Sequence, residues 1–134
     1  MKRIVYTSVP TADTTFATAN DILNTAAKAN KLESITGMLI FNGKFFMQCI
    51  EGPDDAIERL MAKIINDTRH RDIVIIGEER ADERFFPQWN MGYLNREKQI
   101  LDILYTHTAS TLLDPATLNM QQATSILVDL SFLI

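Results

Sequence analysis

A single cysteine, Cys49, leaves this chain without an internal disulfide and fits a reducing compartment. Two histidines beside that one thiol supply no metal-ligand spacing. The five glycines form no phosphate-binding loop, and "FNGKF" reads instead as a hairpin. No uninterrupted apolar run approaches the ~18 residues of a membrane span. The opening "MKRIVYTSVP" runs straight into strand-like sequence with no apolar signal core, so the expected location is cytoplasmic. A formal charge of −4 gives no electrostatic reason to expect nucleic acid or an anionic membrane as a partner. No basic, aromatic-studded sheet face suits RNA. No hydrolytic nucleophile stands with its base, and the expectation is a protein that is not an enzyme.

What is present is ordinary for one globular domain of 134 residues, with 46% hydrophobic and 22% charged residues. "RIVYTS" has strand composition, and alternation sets Ile4, Tyr6 and Ser8 on one face. Asp13 is the expected cap of a helix running to about Asn30, with an apolar stripe of Ala19, Ile22, Leu23 and Ala26 that ends on Asn30. "ITGMLIF" and "KFFMQCIE" flank Asn42-Gly43, the signal of a two-residue hairpin turn. A second helix opens at Pro53, with Asp54 and Asp55 at its positive end and a stripe of Ile57, Leu60, Met61 and Ile64. "DIVIIGEE" reads as a strand covered on both faces, and "QWNMGYL" as a further strand. The order is βαββαββ, an α+β sandwich of ferredoxin-like type with two helices on one face of a mixed five-stranded sheet. It occupies residues 1–95. Residues 96–134 read as a helical appendage, "REKQILDILYTH" followed by one helix capped by Asp114 with Pro115 at its first position.

A primary amide in the buried strand "FFMQCIEG" needs partners for two donors and two acceptor sites. With a two-residue turn, Gln48 faces Gly37, and a glycine opposite an amide leaves a slot. Taken singly, Gln48, Tyr6 and Asn30 each lean toward structural roles: an amide bonded to backbone or water, a core phenol, a helix C-cap. Together they put polar groups from three elements on faces otherwise apolar. That pattern suits one flat, mostly apolar ligand rimmed with donors and acceptors, such as an isoalloxazine.

The fragments "IVYTS", "AKAN", "ITGMLIF", "GKFFMQCIEG", "INDTRH" and "FFPQWNMGY" resemble, in order, a BLUF domain, the flavin-binding blue-light sensor. The resemblance runs to about residue 95, and the tail is similar to that of short stand-alone members. It implies non-covalent FAD. Tyr6 matches the electron donor to the excited flavin, Gln48 the glutamine between phenol and ring, and Asn30 the asparagine at the ring's polar edge. Ser8 matches a serine near the signalling strand. Lys63, Asp67, Arg69 and His70 fall where polar residues support the flavin, and without the resemblance His70 reads as part of a solvated basic turn. Trp89 and Met91 match the relay pair and, in a strand, share a face near Gln48. Ala29 departs from the pattern, since relatives often carry a polar residue there. Cys49 alternates away from Gln48, which argues against a flavin–cysteine adduct. His107 has no expected role.

The implied function is a blue-light photoreceptor signalling through its fifth strand and the tail to a downstream protein, with the tail packed on the sheet face away from the flavin and helping to build a homo-oligomer, the alternative being a tail that only plugs the core of a monomer. Two alternatives share the fold class: a small acyl-phosphate hydrolase, which needs a donor-rich anion loop that the glycine-free "SVPTADTT" does not suggest, and a module that only mediates assembly.

Overall fold

The computed structural model describes residues 1–11 and 15–134. The elements run β1 (Lys2–Pro10), α1 (Phe16–Leu32), β2 (Thr36–Phe41), β3 (Phe46–Gly52), α2 (Asp54–Ile65), β4 (His70–Arg80), β5 (Gly92–Leu94), α3 (Glu97–Thr108) and α4 (Met120–Ser131), with a 3-10 turn at Pro115–Thr117. The five-stranded sheet has the order β4-β1-β3-β2-β5. β2 and β5 run parallel and the other pairs antiparallel, which makes the sheet mixed and ferredoxin-like as expected.

Strand alternation divides the side chains between two cores. Ile4, Tyr6, Leu39, Phe41, Phe46 and Ile50 lie with Ala19 of α1 and Ile57 and Met61 of α2. Val5, Met38, Ile40, Met47 and Cys49 point the other way, against Ile100 and Leu104 of α3 and Ile126, Leu127 and Leu130 of α4. The segment 96–134 therefore closes the sheet face opposite α1 and α2. Burial pushes the Cys49 thiol up and keeps it protonated in this second core.

Four local expectations are corrected. The hairpin pairs Phe41 with Phe46, so Leu39 faces Gln48 and Gly37 faces Ile50. The turn is wider because Asn42 Oδ1 accepts from Lys44 N at 2.9 Å and Phe45 N at 3.1 Å, with Gly43 at φ 88°. A shift of two residues keeps every side chain on its expected face but removes the slot opposite Gln48. Gly37 answers a different need, since a Cβ there would lie 2.0 Å from the Cys49 carbonyl oxygen.

β4 is an edge strand rather than one covered on both faces, and Val74 and Ile75 are exposed. Two register shifts against β1 bend it, a common way to blunt a free edge. The tail's second helix is split. Asp114 caps only the 3-10 turn, through Ala116 N, and α4 starts afresh with a capping box of Asn119 and Gln122. The Asp13 cap lies outside the described residues, and Thr15 Oγ1 accepts from Thr18 N at 3.2 Å.

A buried ion pair fixes the chain after β4. Glu51, fully buried, accepts from Arg3 Nε at 3.1 Å, Thr36 Oγ1 at 3.1 Å, Phe85 N at 3.0 Å and Phe86 N at 2.7 Å. Arg3 continues to Glu79 and the Glu83 carbonyl, and its guanidinium lies 3.7 Å from the centre of the Phe85 ring. Removing either partner strands a buried charge, at a cost of about 3–5 kcal/mol.

Candidate functional site

Between α1, α2 and the sheet lies a cavity of about 280 Å³. Leu39 and Phe46 form its floor; Ile22, Leu23 and Ala26 of α1 and Leu60 and Ile64 of α2 form its walls. These walls follow from the helical stripes: i, i+3 and i+4 residues face the sheet, and the helices stand far enough apart to leave space. Tyr6, Asn30, Gln48, Lys63, Asp67, Arg69, His70 and Met91 supply its other groups. Ala29 lines it as well, adding only a methyl group.

The polar groups are connected. Tyr6 and Gln48 are cross-strand partners, and the Tyr6 hydroxyl donates to Gln48 Oε1. Gln48 Nε2 donates to Met91 Sδ at 3.2 Å, a weak acceptor for an amide. Burial, and then the nearby Asp67 carboxylate, hold the Tyr6 phenol well above its ordinary pKa, so it stays a neutral donor. Asn30, 2% exposed, spends Nδ2 on the Asn90 carbonyl at 3.0 Å, while Oδ1 has no protein partner among the described residues.

At the mouth, Arg69 Nε donates to Asp67 Oδ1 at 2.9 Å, and this pairing holds the Asp67 carboxyl below the usual carboxylate range. Ser8 does not line the cavity; its hydroxyl bonds His70 Nδ1 at 2.7 Å. The other ring nitrogen lies 2.7 Å from the Ile64 carbonyl, which can only accept. Nε2 therefore carries a proton, and in the neutral ring Nδ1 accepts from Ser8. His70 thus pins β1 to the end of α2 rather than sitting in a solvated turn.

The relay pair is divided by the sheet. Met91 belongs to the cavity side, but Trp89 packs against the second core. The expectation that both share a face fails because β5 begins only at Gly92, and Trp89 lies in the turn before it. A Cβ on Gly92 would lie 2.9 Å from the Trp89 ring and 3.5 Å from Ile134 Cδ1, so the glycine is a notch for both side chains.

Sequence reasoning missed Asn90, whose signal was a polar residue between Trp89 and Met91. It also gave Glu51 no role beyond its place in the motif. His107 has a partner after all, with Nε2 2.6 Å from Asp129 Oδ2 across α3 and α4.

A cavity with apolar walls, two incompletely satisfied amides and a buried phenol defines a binding protein for a flat ligand with a polar edge. The family model described as "BLUF: Sensors of blue-light using FAD" matches residues 1–92, and the chain belongs to that family. Its cofactor is FAD.

The photoactivated adenylate cyclase subunit beta of Euglena longa is 38% identical over 77 residues, covering 57% of this chain and 9% of the relative. The chain thus spans under a tenth of that protein. Among solved structures, the photo-activated state of BlsA matches with a TM-score of 0.86 and 30% identity over 97% of this chain and 94% of BlsA. The dark state of BlrB, a BLUF protein, matches with a TM-score of 0.78 and 26% identity over 99% and 96%. The family match favours the sensor over the hydrolase and assembly alternatives.

The residues present suit the cofactor. The aliphatic walls and Phe46 would hold the ring faces, and Asn30 Oδ1 and the Gln48 amide would bond a polar edge. The volume falls just below the ~300–1,000 Å³ of cofactor pockets, room for a ring system rather than a whole dinucleotide. Lys63, Asp67 and Arg69, which also line the cavity, would hold the cofactor's polar chain.

Proposed function

We propose that this protein is a blue-light photoreceptor in which Tyr6 and Gln48 form the switch and residues 1–95 form the sensing unit. The observation that carries the reading is the bonded series Tyr6–Gln48–Met91 along the cavity wall. When bound and excited by blue light, FAD supplies a strong oxidant. Tyr6 is the oxidisable side chain hydrogen-bonded to the amide at this wall, and it gives up one electron. Its hydroxyl donates to Gln48 Oε1, so the proton leaves Tyr6 toward that oxygen as the electron leaves the ring. Both return to Tyr6 in recombination, and no substrate is turned over.

What persists is the arrangement of the amide. If Gln48 turns, Nε2 comes to donate to the Tyr6 oxygen and Oε1 replaces Nε2 beside Met91. A tautomer makes Oε1 a hydroxyl donor toward the Tyr6 oxygen and leaves Nε2 with a single N–H. The turned amide leaves Met91 Sδ without its donor, and a packed pocket answers by moving the side chain. The adjoining notch at Gly92 holds Trp89 and the end of the tail, so the motion reaches residues 96–134. That extension is the output element, read by a downstream protein, and exposed Tyr105, Leu112 and Phe132 suit contact with a second copy in a homo-oligomer.

The test is an absorption spectrum of the purified FAD-loaded protein before and after blue light. The expected result is a reversible red shift without loss of flavin. A protein that takes up no FAD, or one whose spectrum ignores light, contradicts the reading.

A further inference from the structure

Asn90 does not line the cavity, yet its bonds hold the segment that does. Its carbonyl accepts from Asn30 Nδ2 at 3.0 Å, and its own Nδ2 donates to the Ile35 carbonyl at 3.1 Å. One residue earlier, the Trp89 carbonyl accepts from Gly37 N at 3.2 Å. One residue later, Met91 Sδ takes Gln48 Nε2 at 3.2 Å. Three consecutive residues are thereby tied to α1, to the start of β2 and to β3.

The four ties are unequal. Three join an N–H to a carbonyl, and the fourth joins an amide to a thioether, the poorest acceptor of the set. When Gln48 changes its bonding, the sulfur contact is surrendered first and the other three persist. Motion of the segment is then a pivot about Asn90 rather than a translation. Met91 swings on the cavity side, and Trp89, seated on Gly92, responds on the other.

We propose that Asn90 is a positioning residue: its side-chain amide, anchored on the Ile35 carbonyl, sets the pivot through which Met91 meets or leaves Gln48. The proposal rests on the photoreceptor reading above. A residue that merely satisfied a carbonyl would change stability alone. A pivot changes the lifetime of the lit state and the surroundings of Trp89, the chain's sole tryptophan.

Asn90→Asp keeps the shape, removes the donor and sets a carboxylate against the Ile35 carbonyl. Asn90→Ala removes donor and acceptor together. Both variants and the wild type are loaded with FAD, and three quantities are read: the red shift, the dark recovery rate and Trp89 emission in dark and light. Expected in both variants are a red shift of wild-type size, a recovery rate changed about fivefold, as loss of one hydrogen bond implies, and no light–dark difference in Trp89 emission. If one variant fails to fold, the other decides. Wild-type recovery together with a wild-type emission change, in a variant that holds flavin, overturns the proposal. So does loss of flavin from both variants, which would make Asn90 part of the binding site. A wild-type protein without any red shift overturns the photoreceptor reading itself. A switching wild type beside unaltered variants overturns only the pivot.

Discussion

On β3, Met47 and Cys49 point into the face closed by α4, whereas Phe46 and Gln48 point into the face that holds the cavity. The same seven-residue strand serves both, and alternation alone separates them. The α4 face is closed by aliphatic side chains, among them Ile126, Leu127 and Leu130, all fully buried. The α1–α2 face sets a phenol and two amides among its apolar groups and leaves a space between the helices. A sealed core resists change because each displaced atom loses contacts, while a polar-lined cavity can exchange hydrogen bonds at small cost. On the photoreceptor reading, the sensing chemistry belongs to the cavity face, and the close-packed opposite face carries the resulting motion as a body. Residues 89–91 are where the two meet.

The largest effect is expected on the cavity face. Gln48→Leu keeps the volume and removes every amide bond; Tyr6→Phe removes only the hydroxyl. Both are expected to fold, to bind FAD and to lose the reversible red shift completely, as difference spectra will read. A normal difference spectrum from Gln48→Leu would mean that the cavity face works without its amide.

On the sealed face, Ile126→Ala opens a hole at a fully buried site and should cost about 2–5 kcal/mol in thermal or urea unfolding, with the red shift unchanged. Equal damage to both properties would erase the division of labour.

A smaller effect follows from Asn30→Ala, which leaves a polar ring edge and the Asn90 carbonyl without their partner. FAD affinity is expected to fall by about 1–3 kcal/mol, measurable by equilibrium dialysis.

The smallest effect concerns pH. The folded Tyr6 keeps its proton where the unfolded chain loses it, so above pH ~10 the native state binds more protons and stability falls as pH rises. The switch itself stays constant through neutral pH, because Tyr6 remains a donor there. Unfolding curves at neutral and alkaline pH for wild type and Tyr6→Phe separate this contribution, which the variant lacks.

Much of this comparison was legible in the residues. Period-2 alternation placed Gln48 with Tyr6 and against Cys49, and helical spacing brought Asn30 to the same face. Those patterns are local, and the burial they describe is a strong constraint. The hairpin register was not legible in "NG", because the Asn42 side chain bonds two backbone amides and widens the turn. β4 misled because its apolar run reflects two bulges and contacts to both cores, with Ile73 on one side and Ile76 on the other, rather than burial of the whole strand. Trp89 and Met91 fall on opposite sides because a turn stands where the alternation of "QWNMGYL" suggests a strand. Where β5 begins depends on its pairing with β2, a long-range fact without a local signature. For the same reason the ties of Asn90 to residues 30 and 35 could not be read from its neighbours.

The central claim is that the segment between Trp89 and Met91 carries the change at Gln48 across the sheet. Hydrogen exchange over α3 and α4, measured dark and lit in the FAD-loaded wild type and in Met91→Ala, tests it most directly. The account predicts that light alters exchange across residues 96–134 of the wild type, and that Met91→Ala keeps the red shift while losing most of that change. A variant tail that responds to light as the wild type does would contradict it.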